Sequence, residues 1–68
     1  MNEDNFNMSI RKFLKMTGVG SQREIEQAVA KALADGKLDG TTRLPASMRL
    51  TIPALGLDVS FDGDIALE

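Results

Sequence analysis

The stretch Met48-Arg49-Leu50-Thr51-Ile52-Pro53-Ala54-Leu55-Gly56-Leu57-Asp58-Val59-Ser60-Phe61 decides half of the fold. Met48, Leu50 and Ile52 alternate with Arg49 and Thr51, while Leu57, Val59 and Phe61 alternate with Asp58 and Ser60. That period of two belongs to strands with one apolar face. Between the runs, Pro53 pre-sets the first turn dihedral and Gly56 supplies the positive φ that returns the chain to the second strand. Pairing Ile52 with Leu57 sets Leu50 opposite Val59, Met48 opposite Phe61 and Leu44 opposite Ile65, so every apolar side chain falls on one face. The pattern predicts strands over about 42–52 and 57–67, with Pro45 weakening the first of them.

Upstream, Phe6, Ile10, Phe13 and Leu14 recur at the spacing of one helical stripe, predicting a helix over about 3–16. Asn2 suits the N-cap, with Glu3 and Asp4 at the end where the helix dipole favours negative charge. Thr17-Gly18 reads as its stop, with glycine as a left-handed cap. Ser21-Gln22-Arg23-Glu24 has the form of a capping box, in which serine and glutamate each satisfy an amide of the other. Ile25, Ala28, Val29, Ala32 and Leu33 then continue at helical spacing, predicting a second helix over about 21–35 that ends at Gly36. Asp35-Gly36, Asp39-Gly40 and Leu44-Pro45 mark a loop over about 36–41.

The expected fold is therefore α+β within one small domain: an antiparallel helix pair packed on one face of a two- or three-stranded antiparallel sheet. Its predicted core is Phe6, Ile10, Phe13, Leu14, Ile25, Val29, Leu33, Leu50, Ile52, Leu57, Val59 and Phe61.

Composition excludes several chemistries. The 68 residues contain no cysteine and no histidine, which removes disulfides, thiolates and the usual ligands and nucleophiles of zinc, haem and acyl-transfer sites. Eight Lys/Arg against ten Asp/Glu give a net charge of −2, far from the basic field of a strong nucleic-acid binder. The acidic start and the lack of a long apolar run lead us to expect a cytoplasmic protein with no membrane segment.

Four constellations are candidates for function. Thr17 to Ser21 between two helices, followed by a hairpin, has the form of a winged helix-turn-helix. In that reading Gln22, Arg23 and Glu26 face the DNA groove and Arg49 with the turn forms the wing. Glu24, Glu26, Asp58, Asp62 and Asp64 oppose it, and nucleic acid ranks below protein as a partner. Arg11, Lys12 and Lys15 share the outer side of the first helix, with Arg23 expected nearby, and suit an acidic partner or phosphate. Asp58, Ser60, Asp62, Gly63 and Asp64 follow calcium-loop spacing, but the interleaved Val59 and Phe61 demand a strand, and no metal or other cofactor is expected. Leu55, at the hairpin tip, is the residue least expected to be buried and suggests a contact surface. Nothing sets two carboxylates around an apolar pocket, so no enzyme is expected.

The runs Met1 to Lys15, Gly18-Val19, Ser21 to Glu26 and Ala28-Val29, with Leu44-Pro45, Gly56-Leu57, Gly63 and Ile65, resemble a small bacterial family known only as a domain of unknown function. The resemblance implies a stand-alone bacterial protein of the cytoplasm and transfers no catalytic or ligand residues. Together these readings favour a non-catalytic interaction module, binding another protein or itself through the hairpin tip or sheet edge, with a winged-helix DNA binder as the runner-up.

Overall fold

A computed structural model of the chain describes all 68 residues. It contains one helix, α1 (Glu3–Ala34), and one hairpin made of β1 (Arg43–Ile52), a single 3-10 turn (Pro53–Leu55) and β2 (Leu57–Ala66). Contacts group the chain into two units, Met1–Lys37 and Leu38–Glu68.

In the first unit the expected helix pair is replaced by a single helix of 32 residues. Thr17, Gly18, Val19 and Gly20 are all helical, and neither glycine has a positive φ. The physical reason is phase. Leu14 and Ile25 are eleven residues apart, which is three turns to within about 20°. The two apolar stripes therefore overlap, Ile25, Ala28 and Ala32 continuing the first with Thr17 and Ser21 across the junction, while Val29 and Leu33 fall to its side. A break there would orphan up to four amides and four carbonyls, whereas two interior glycines cost about 1 kcal/mol each relative to alanine. Ser21 cannot act as an N-cap, because that role requires a non-helical backbone. The Thr17 hydroxyl donates to the Leu14 carbonyl at 3.2 Å, a bond made within the helix.

Both true ends match the sequence reading. The Asn2 side chain accepts from the Asn5 amide at 3.0 Å, with Glu3 and Asp4 in the first turn. At the other end Gly36 has φ +73. The Lys37 amide donates to the Ala32 carbonyl at 2.9 Å and the Gly36 amide to that of Leu33 at 3.1 Å, the bond pair of a Schellman cap.

In the second unit β1 and β2 pair antiparallel in the expected register: Leu44 with Ile65, Met48 with Phe61, Leu50 with Val59 and Ile52 with Leu57. Gly56 takes the left-handed conformation, φ 64 and ψ 20, and donates its amide to the Pro53 carbonyl. The sheet has two strands, with no third. Pro45 lies inside β1, and the register explains why. The Leu67 amide donates to the Thr42 carbonyl at 3.2 Å, so even-numbered β1 residues form the hydrogen-bonded pairs and odd-numbered ones turn their backbone groups outward. The missing amide of Pro45 thus falls on the free edge, where it costs no ladder bond.

The predicted core does not form as a buried set. Val29, Leu50 and Leu57 are half-buried, whereas the other nine predicted core residues are exposed. No side chain in the chain is buried. One helix stripe and one sheet face each need a second layer, and neither unit contains one.

The sign of two sets of substitutions separates one helix from two. Ser21→Ala should be neutral or slightly stabilising, where loss of an N-cap would cost about 1 kcal/mol. Gly18→Ala and Gly20→Ala should each stabilise by about 1 kcal/mol, with open space around each added methyl. Thermal melts followed by far-UV circular dichroism read both, and a destabilising Ser21→Ala with destabilising glycine changes would restore the helix pair. In the hairpin, Gly56→Val should lower the melting temperature well beyond Ala54→Val, because only position 56 needs a positive φ.

Candidate interaction surfaces

The hairpin has two unlike faces. On one, Met48, Ile52, Val59 and Phe61 remain exposed beside half-buried Leu44, Leu50, Leu57 and Ile65. At its tip Leu55 is 74% exposed, the most open large apolar side chain after Met1. On the other face stand Arg43, Ser47, Arg49 and Thr51 from β1 and Asp58, Ser60, Asp62 and Asp64 from β2. Side chains alternate across a strand, so the register alone dictates this division.

An ion pair organises the polar face. The Arg49 guanidinium donates from Nε to Asp58 Oδ1 at 2.8 Å and from Nη2 to Oδ2 at 2.6 Å. Thr51 is the direct partner of Asp58 and Ser60 that of Arg49, so the two charges meet on the diagonal, within reach of a long side chain. Arg49 holds the Asp58 carboxyl below its ordinary value, and Asp58 in turn raises Arg49. This pair was readable from the register, yet the sequence reading assigned Arg49 to a wing and Asp58 to the calcium-like row.

Ahead of β1, Asp39 accepts from the Thr41 hydroxyl and, at 2.8 Å, from the Thr41 amide, with the Thr42 hydroxyl also in reach. These bonds, the Thr41 hydroxyl first, hold the Asp39 carboxyl below its ordinary value. Here the aspartate closes a turn at the strand entrance.

The calcium-like row Asp58, Ser60, Asp62, Gly63 and Asp64 is strand throughout. No group of three or more acidic side chains converges to hold a metal ion. A shallow open depression is lined by Pro45, Ala46, Ser47, Asp62, Gly63 and Asp64. It lies where the small pair Ala46 and Gly63 interrupts the larger apolar pairs.

The basic residues fall on α1. Arg11, Lys12 and Lys15 lie within about one turn of one another. Arg23 is eight residues beyond Lys15, about 12 Å along the axis, so it extends this side of the helix and does not fold back beside the other three. No acidic residue occurs from Asn5 to Arg23. The helix-turn-helix reading fails on the same geometry: a continuous helix has no turn to present a second, recognition helix. α1 is also not apolar enough to cross a membrane.

The chain is thus an α+β protein of one long helix and one two-stranded hairpin. It belongs to a family of unknown function (DUF6494), whose model matches residues 1–68, the full length of the chain. No curated protein and no solved structure matches it.

The Arg49–Asp58 pair predicts an acid limb in hairpin stability. Asp58 has a depressed value when folded, so its contribution is present above its unfolded value and is lost as the pH falls through the folded one. Asp58→Asn and Arg49→Ala should both lower the melting temperature at neutral pH, the gap from the parent closing below about pH 4. Melts across a pH series read this, and a gap that is constant with pH would remove the pair from the account.

Proposed function

We propose that the protein is a non-catalytic interaction module that binds a protein partner through the tip and apolar face of its hairpin. The observation that carries this reading is the exposure of Leu55 at the tip, next to a sheet face on which Met48 and Phe61 are also open. Apolar side chains gathered on one exposed surface mark contact sites, whereas scattered ones need no explanation. A two-stranded hairpin is marginal in water by itself, and a partner laid on its apolar face would supply the missing layer.

The hairpin edges support the face and tip over the edge as the point of contact. β1 carries Pro45 on its outward positions, and β2 presents a strand with Asp58, Asp62 and Asp64. Both features discourage the addition of another strand. No pair of carboxylates faces across an enclosed apolar cavity, which favours binding over catalysis.

Leu55→Asp should abolish capture of the partner from a lysate of the native host, with the circular dichroism spectrum of the hairpin unchanged. Ala54→Ser, one position away, should capture normally. A protein that retrieves no partner, or whose partner binds Leu55→Asp as well as the parent, would overturn the proposal.

A further inference from the structure

We infer that residues 5–23 of α1 form an interfacial helix that lies flat on an anionic lipid surface. Phe6, Ile10, Phe13 and Leu14 enter the acyl boundary, and Arg11, Lys12, Lys15 and Arg23 are held by the lipid phosphates. This goes beyond the hairpin reading and uses a different surface.

The segment divides into two unlike sides. Phe6, Ile10, Phe13 and Leu14 fall within an arc of about 100° around the helix, and all four are exposed. The four cations occupy the opposite side, over about 120°. Met8, Met16 and Val19 share that side as scattered apolar residues, which need no partner. The pattern stops at residue 23. Glu24 follows Phe13 by eleven residues, so three turns bring it into line with the stripe, and Glu26 falls among the cations. A wide apolar face with phenylalanines and a polar face whose charges are all Lys and Arg mark a helix that rests in a membrane interface. α1 is not apolar enough to cross a membrane, and an interfacial helix needs no such run, since only one face is immersed.

Charge decides what covers this face. Between Asn5 and Arg23 stand four Lys/Arg and no Asp or Glu. Glu3 and Asp4 subtract two from these four, leaving +2 over residues 3–23. None of the four cations is in a salt bridge, the chain's ion pair being Arg49–Asp58. Arg11 and Lys15, four residues apart, repel one another along the helix, and Lys12 adds to that repulsion. An anionic surface relieves it. The cations follow one another at intervals of one, three and eight residues. A folded protein meets such a series only with carboxylates fixed at matching points. Lipid headgroups move laterally and meet cations at any spacing, which is why basic segments recognise anionic membranes.

Flotation of the full chain with vesicles tests the inference. Vesicles of phosphatidylcholine with about one-third phosphatidylserine should carry the chain upward at low salt, and phosphatidylcholine alone should not. Each cation near an anionic surface strengthens binding about fivefold. Lys12→Gln combined with Lys15→Gln should therefore weaken binding about 25-fold, and Lys37→Gln, outside the helix, less than about twofold. Phe13→Gln should weaken it about tenfold. The chain has no tryptophan, so Phe13→Trp supplies a single reporter whose emission should shift to the blue with anionic vesicles. The lysine changes keep the test decisive even where Phe13→Gln loses its helix. A chain that stays behind when anionic vesicles float, that floats equally with neutral ones, or that is indifferent to the two lysine changes would overturn the inference. So would a Phe13→Trp emission unmoved by vesicles, or tighter binding to duplex DNA than to the anionic surface.

Discussion

The unbroken ladder of hydrogen bonds through Thr17, Gly18, Val19 and Gly20 is the constraint on which the rest of the structure depends. It turns two prospective short helices into one rod of about 48 Å. It also fixes which side chains share a face. Phe6, Ile10, Phe13 and Leu14 fall in line with Ile25, Ala28 and Ala32 because eleven residues close to three turns. Arg23 moves away from Lys15 for the same reason. A chain that turned back at Gly18 would have supplied a second helical layer within this unit; the single helix does not.

The hairpin follows a separate logic, and nearly all of it was legible in the sequence. A period of two tolerates no slippage when one face is apolar, since a shift of one residue turns every side chain over. Pro53 and Gly56 then fix the turn, and the register follows residue by residue. Which edge the missing amide of Pro45 falls on is not legible in the sequence, which does not say which β1 residues point their amides at β2. Once Thr42 is known to accept from Leu67, the outward position of Pro45 follows. The Arg49–Asp58 pair is a consequence of the same register and could have been deduced from it.

The helix pair expected from the sequence does not form because its end signals are local. Thr17-Gly18 and Ser21 to Glu24 are local signals, and each is chemically competent to end or begin a helix. Local competence is not enough, because a cap forms only where the backbone leaves the helical region. The stripe phase across the junction carried the opposing information, and it extends over more residues. Of the candidate surface residues, Leu55 stands where the sequence placed it, at an exposed tip. Arg11, Lys12 and Lys15 are together, and Arg23 is not beside them. Within each unit no buried core forms, because a single helix and a two-stranded sheet are each one layer.

A spin-label distance between Glu3→Cys and Ala34→Cys, measured in chains diluted with unlabelled protein, tests the continuous helix most directly. A single rod predicts a narrow distribution centred near 46 Å, from 31 residues at about 1.5 Å each. Two helices folded back at Gly18 would lie about 8–10 Å apart axis to axis. A distribution centred below about 20 Å would contradict the helix and everything derived from its phase.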